Sequence, residues 1–175
     1  MSRITVTDVL TVARSWIGTT FAHQGRQKGI RCDCIGLVIE TCREVGLVDA
    51  AGLPPGWDHV GYGRYPDSYG MTMHLLQYMT RVPRQHMQPG DVALFRTTSG
   101  QPAHMGFLGD GAVPLSLIHA FNARTQRLAR VQEHRFSGYW LGCLHSVYRL
   151  PLDQTPLQTP TNQSEAGYIM GRVHG

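Results

Sequence analysis

Cys34 and a pair of histidines are the residues of this sequence best suited to covalent chemistry. Cys34 follows Asp33, a good helix N-cap, and the apolar run after it places the thiol in the first turn of a helix. Free N–H groups and the dipole at a helix start stabilise a thiolate, the form of cysteine that acts as a nucleophile. A cysteine at this position is also common as a small buried apolar residue, so the nucleophilic interpretation needs a nearby base.

The base is sought among the nine histidines of the chain. His104 opens a predicted strand in the segment PAHMGFLGDG, where Gly106 would let another part of the chain come close, and His119 lies on the next strand. Adjacent antiparallel strands bring such residues side by side, so His104 can face Cys34 while His119 holds the second ring nitrogen of His104. A structural role stays open for either histidine taken singly, whereas the ordered set Cys, His, His favours catalysis.

The elements that must position these residues are helices in the first half of the chain and strands in the second. The apolar spacing predicts a helix over 7–17 with Thr5 or Thr7 as its cap, a loop over 18–29, and a second helix after Asp33 that ends at Gly46. A third helix is expected over about 67–79, with its methionines in the core. Helices followed by a meander of short strands indicate an α+β fold. The strands are predicted at about 92–96, 105–108, 115–121, 127–132 and 143–149.

Length and composition set limits on what the chain can be. It has 175 residues, of which 42% are hydrophobic, so one domain over 1–150 can build a core, and the Pro-, Thr- and Gln-rich segment 151–175 is expected to be an extended tail. The net charge of +4 is spread along the chain, which argues against nucleic-acid binding. No apolar run is long enough for a membrane span and the N-terminus does not look like a signal peptide, so the four cysteines are expected to be free thiols.

Four spaced motifs of the sequence stand out together. They are Asp33-Cys34-Ile35-Gly36-Leu37-Val38, Pro89-Gly90-Asp91-Val92, His104-Met105-Gly106-Phe107 and Ile118-His119-Ala120. In this order they resemble the motifs of the NlpC/P60 cysteine peptidases, which cut amide bonds in the stem peptides of bacterial peptidoglycan. Three further segments are similar to the branch encoded in phage and prophage tail operons, namely Trp16-Ile17-Gly18, His23-Gln24-Gly25-Arg26 and Tyr65-Pro66-Asp67.

The resemblance implies a papain-like α+β fold, with N-terminal helices packed on a small antiparallel sheet or half-barrel. It makes Cys34 the nucleophile, His104 the general base and then acid, and His119 the orienting third residue, with Asp33 bracing the turn at the helix start. No cofactor and no metal are implied. The implied partners are the stem peptide as substrate and other tail-tip or hub proteins, and the implied location is the tail tip of a virion synthesised in the bacterial cytoplasm.

One departure concerns a Pro-Tyr pair that many family members carry after the first helix, with the tyrosine hydroxyl facing the active site. This sequence has Thr20-Phe21 there, and Phe21 has no hydroxyl. The polar contact is then missing, or it is supplied by His23 or Gln24. This departure motivates a second hypothesis, in which the chain is a structural tail-tip or baseplate component with the same fold and little or no activity.

Two further alternatives are weaker. Cys32 and Cys34 with His23 are a poor zinc site, because zinc sites favour Cys-x₂₋₄-Cys pairs. An acyltransferase of the circularly permuted relatives would carry its histidine before its cysteine, and this chain has the reverse order. The basic residues near the nucleophile either attract stem-peptide carboxylates and lower the thiol pKa or form an ordinary solvated loop; they are Arg26, Lys28 and Arg31.

Overall fold

The structure is a computed structural model that describes residues 3–47, 61–63, 68–96, 100–123 and 128–152. Its helices are α1 Val6–Ser15, α2 Cys34–Glu44, α3 Ser68–Tyr78 and α4 Gly138–Cys143, with a 3₁₀ turn at Arg84–His86. Its strands are β1 Thr20–Phe21, β2 Arg26–Gln27, β3 Arg31–Cys32, β4 Thr80–Val82, β5 Val92–Arg96, β6 Pro102–Gly109, β7 Ser116–Phe121, β8 Arg130–Arg135 and β9 Leu144–Arg149.

Capping residues determine where the first two helices begin, and a glycine follows the end of the second. Thr5 caps α1 in a reciprocal capping box with Asp8. The Asp33 side chain caps α2 by accepting the Gly36 N–H at 2.8 Å. Gly46 follows α2 with φ +78°, the left-handed conformation that ends helices. The predicted helices are therefore confirmed, and Thr5 rather than Thr7 is the cap of the first.

The strands form a nine-stranded sheet in the order β2-β3-β1-β8-β7-β6-β5-β9-β4. All neighbours pair antiparallel except β1 and β3, which are parallel. Helices α1, α2 and α3 pack on one face over a core that includes Leu37, Phe107 and Ile118, and α4 packs on the other face through Trp140. The α+β class predicted from the sequence is confirmed.

Some expectations about individual elements were wrong. The segment 18–29 contains β1 and β2, two-residue strands too short for any periodicity, and β4 and α4 were not predicted at all. Met71 and Met79 are buried, but Met73 is 47% exposed and does not fill the core. The segment Tyr65-Pro66-Asp67 and the predicted tail beyond Leu152 lie outside the described residues. Among the described helices none combines the length and apolar character needed to cross a bilayer.

The residue-by-residue pairing of strands β6 and β7 ends just before the two candidate histidines, although the strands stay close together there. Their paired section joins Phe107 to Ile118 and continues to Gly109 and Ser116, whereas His104 and His119 lie beyond its end. A Cβ added at Gly106 would stand 2.6 Å from the Ile118 carbonyl oxygen and 2.7 Å from the His119 Cβ. Glycine at 106 therefore permits the close approach that lets the two histidine rings meet.

Replacing Gly106 by alanine should destabilise the protein. The methyl group would collide with backbone that cannot move freely, and overpacking of this kind costs about 1–3 kcal/mol. Gly142→Ala is the matched control, because nothing lies within 4 Å of a Cβ there and position 142 is inside α4. Urea unfolding of both variants checks this, and equal midpoints would contradict the close-approach argument.

Candidate active site

Cys34 is the first residue of α2, and the Asp33 carboxylate holds the backbone around it. Asp33 is 3% exposed. It accepts the Gln24 N–H at 2.6 Å and the Gly36 N–H at 2.8 Å, and it forms an ion pair with Arg26 at 3.0 Å. One carboxylate thus ties the preceding loop to the start of α2 and fixes the direction in which the Cys34 side chain leaves the backbone.

The resting state of Cys34 is a neutral thiol. The side chain is buried, with 9% of its surface exposed. Burial, together with the charge of Asp33, raises the pKa of Cys34 to about 12, although backbone groups of Met105, Ile35 and Cys34 itself act in the opposite direction. The expectation of a thiolate stabilised by the helix start is wrong for the resting site, because loss of hydration outweighs the helix dipole.

The basic residues near the nucleophile are engaged with protein groups. Arg26 pairs with Asp33, Arg31 donates to the Gln27 side chain at 3.0 Å, and Lys28 pairs with Glu44 and lies 5.3 Å from the Trp16 ring centroid. Of the three, Arg26 is the one that pairs with Asp33, the residue directly before Cys34. The idea that all three cations lower the thiol pKa is therefore not supported.

Three histidines form a continuous hydrogen-bonded chain across β6, β7 and β8. His104 Nε2 lies 2.8 Å from His119 Nδ1, and His119 Nε2 lies 2.9 Å from His134 Nε2. His134 Nδ1 in turn lies 3.0 Å from the backbone carbonyl oxygen of Arg135. The structure thus brings His104 and His119 together as the sequence predicts, and it adds a third ring.

Trp140 covers this chain from the side of α4. Its ring centroid lies 5.1 Å from that of His104, 4.6 Å from that of His119 and 6.3 Å from that of His134. His119 has no exposed surface. Burial lowers the pKa of His104 to about 4 and that of His119 further, with the neighbouring histidines adding to the second shift. Both rings are therefore neutral at neutral pH and can accept a proton.

A tyrosine hydroxyl does reach the start of α2, and it comes from Tyr62. Phe21 packs as a partly buried side chain against the main core. The Tyr62 hydroxyl donates to Asp33 Oδ2 at 2.5 Å and accepts from Arg26 at 3.1 Å. The side chains of His23 and Gln24 both contact the Tyr62 backbone carbonyl, at 3.0 and 2.7 Å.

Cys32 and His23 do not join Cys34 in a metal site. Cys32 Sγ donates to the Asp33 carbonyl at 3.2 Å, and the His23 ring is edge-on to Tyr62 with its Nε2 on the Tyr62 carbonyl. Over the described part of the chain, no group of three or more His, Cys, Asp or Glu residues is arranged to hold a metal ion. All four cysteines are free thiols, as predicted.

Two residues of the site, His134 and Trp140, are not among those predicted from the sequence. The strand expected at 127–132 is observed at Arg130–Arg135, so His134 was placed outside it. A predicted strand longer by two residues would have included His134. Because side chains two residues apart lie on the same face of a strand, His134 shares the face of Gln132, which is also the face of His119 on the neighbouring strand. Trp140 carries no such signal, because its contacts depend on how α4 folds back over the sheet.

Solved structures of low sequence identity share this fold. The chain matches a protein described as similar to lipoprotein, NLP/P60 family, from Staphylococcus aureus with TM-score 0.55 and 16% identity, over 83% of this chain and 41% of that one. It matches an NlpC/P60 family protein from Bacillus cereus with TM-score 0.59 and 18% identity, over 85% and 41%. It matches the NlpC/p60 domain of peptidoglycan hydrolase SagA with TM-score 0.55 and 18% identity, over 84% and 100%.

These likenesses establish the fold, which is that of NlpC/P60 structures. The chain spans about two fifths of the first two neighbours and the whole of the SagA domain. No protein-family model and no curated protein matches the sequence. At 16–18% identity these likenesses show the fold alone. The residues of the site are therefore assessed from their own geometry.

Stability should fall as the pH drops below the ordinary histidine pKa of about 6.5. The folded-state pKa of His119 is lowered, so the unfolded chain binds a proton first and the stability present above about pH 6.5 is lost as the pH falls toward the folded-state value. We expect a loss of about 2 kcal/mol from His119 between about pH 7 and about pH 4.5. Urea unfolding across this range measures it.

The control is His119→Gln, which removes the titrating ring. This variant is expected to be less stable at neutral pH but to show a shallower pH dependence. A wild-type protein whose unfolding free energy does not change over this range would contradict a buried neutral His119.

Proposed function

We propose that this protein is a cysteine peptidase that hydrolyses an amide bond in the stem peptide of bacterial peptidoglycan. The observation that carries the proposal is the position of Cys34, whose sulfur contacts the Met105 backbone next to His104, the first ring of the buried histidine chain. The NlpC/P60 fold supports it, and one protein of that fold is described as a peptidoglycan hydrolase. A nucleophile, a base and an orienting group are the parts that acyl transfer needs.

The neutral resting pair determines how the reaction starts. Because burial raises the pKa of Cys34 and lowers that of His104, the neutral thiol and the neutral imidazole are favoured before substrate binds. His104 instead accepts the thiol proton while sulfur attacks the amide carbonyl carbon, which forms a tetrahedral oxyanion. Backbone N–H groups at the start of α2 are the donors available to that oxyanion.

The remaining steps return the enzyme to this state. His104 gives its proton to the departing amine nitrogen as the C–N bond breaks, leaving a thioester on Cys34. A water molecule then loses a proton to His104 and attacks the thioester carbonyl. The C–S bond breaks, the product leaves as a carboxylic acid, and the sulfur regains the proton from His104.

We further propose that the protein acts at the tail tip of a phage, where it would loosen the cell wall while DNA enters. The support is the resemblance of three segments to the phage and prophage branch, which are 16–18, 23–26 and 65–67. Other tail-tip or hub proteins would then be its neighbours, with 151–175 as a candidate contact segment. Antibody labelling of purified particles from a lysogen that carries the gene tests this location, and label distributed away from the tail end would contradict it.

The structural hypothesis retains one specific observation in its favour. A neutral, buried thiol is less reactive than the activated one that the sequence predicts. Alkylation by iodoacetamide at neutral pH is consequently expected to be slow in both hypotheses, so it does not separate them. Turnover of substrate does separate them, because only the enzyme transfers the thiol proton to His104 during attack.

Cys34→Ala should abolish cleavage of purified peptidoglycan, because it removes the atom that forms the thioester. Mass spectrometry of muropeptides should show shortened stem peptides with wild-type protein and intact ones with the variant. Cys143→Ser is the matched control, since this partly exposed thiol on α4 is not part of the chain of reacting groups. Equal cleavage by wild type and Cys34→Ala would reject the peptidase, and absence of cleavage by folded wild-type protein would favour the structural role.

A further inference from the structure

His134 completes the histidine chain at its outer end. It lies on β8, partly exposed, with Nε2 on buried His119 and Nδ1 on the Arg135 carbonyl. We propose that His134 is a positioning residue that sets the tautomer of both other rings and leaves His104 Nδ1 unprotonated for the Cys34 proton. This inference rests on the proposed function, in which His104 is the general base.

The Arg135 carbonyl oxygen, the last acceptor of the histidine chain, determines which nitrogen donates in each of its hydrogen bonds. A backbone carbonyl oxygen cannot donate, so the contact at 3.0 Å requires the proton on His134 Nδ1. A neutral imidazole carries one N–H, and His134 Nε2 is therefore an acceptor when the ring is neutral. His134 Nε2 therefore accepts a hydrogen bond from the buried His119 ring.

Each following contact then has only one arrangement. His119 must donate from Nε2 to His134 at 2.9 Å, which leaves His119 Nδ1 as an acceptor. His104 must donate from Nε2 to His119 at 2.8 Å, which leaves His104 Nδ1 without a proton. Both inner rings are neutral because burial lowers their pKa values, so the single-proton rule applies to each.

The surroundings hold the three rings in this arrangement. Trp140 stacks on His134 with an angle of 30° between ring planes and packs edge-on against His119 at 83°. His119 has no exposed surface, so water cannot replace His134 as the acceptor for its Nε2–H. The side chain at position 134 thus connects the buried His119 ring to the Arg135 carbonyl.

The donors and acceptors along the histidine chain would all be exchanged if the side chain at position 134 could only donate. A donor there makes His119 Nε2 an acceptor, so His119 Nδ1–H would donate to His104 Nε2 and the His104 proton would move to Nδ1. His104 could then no longer take the thiol proton. The two neutral chains contain the same atoms and differ only in which nitrogen carries each proton.

The test compares His134→Gln with His134→Lys, both in the full chain. The glutamine carbonyl can accept from His119, so H134Q should cleave peptidoglycan at close to the wild-type rate. The lysine ammonium can only donate, so H134K should lower kcat by about 100-fold, the usual range for loss of a general base, with little change in KM. A thermal unfolding scan establishes that each variant is folded.

Nitrogen NMR of histidine-labelled protein reads the tautomers without any substrate. Wild type and H134Q should show His104 protonated at Nε2 and bare at Nδ1, and H134K should show the reverse. Undiminished cleavage by H134K, or wild-type His104 protonated at Nδ1, would overturn the inference. If H134K fails to fold, the wild-type tautomers still decide. Predicted tautomers in a wild-type protein that cleaves nothing would reject the proposed function while supporting the assignment of His134.

Discussion

A neutral imidazole with no exposed surface, that of His119, is the constraint on which the rest of the site depends. Both of its nitrogens need partners, because an unpaired polar atom in a dry interior costs about 1–3 kcal/mol. His104 and His134 supply them from the two neighbouring strands, at 2.8 and 2.9 Å. The sheet accommodates this ring by ending the β6–β7 pairing early and by having glycine at 106. Packing, strand pairing and the protonation of the site therefore follow from one buried group.

The helix side of the site depends on a second buried polar group, the Asp33 carboxylate. It caps α2, accepts a hydrogen bond from the Gln24 backbone, pairs with Arg26 and accepts a hydrogen bond from the Tyr62 hydroxyl. The same charge that fixes Cys34 also disfavours its thiolate. Rigid positioning and a reactive resting thiol are in conflict here. The structure has the positioning and lacks the reactive resting thiol.

Much of the fold could be predicted because the signals are local. Thr5 and Asp33 cap helices through contacts within three residues, and β5 was predicted with its observed bounds, 92–96. The strands β1, β2 and β3 could not be predicted, since segments of two residues have no periodicity and exist only through pairing with one another and with β8. Met73 was assigned to the core from its residue type, but the helix presents it to solvent.

The sequence by itself determined the α+β class, the position of Cys34 at a helix start and the pairing of His104 with His119, because each depends on capping or on neighbouring strands. Tertiary structure decided the ionisation of these groups. The degree of burial under Trp140 and the nearness of the Asp33 charge are properties of packing, and they reverse the expectation of a stabilised thiolate. Tertiary structure also brought the Tyr62 hydroxyl to Asp33 and His134 to the end of the histidine chain, since both come from segments distant in sequence.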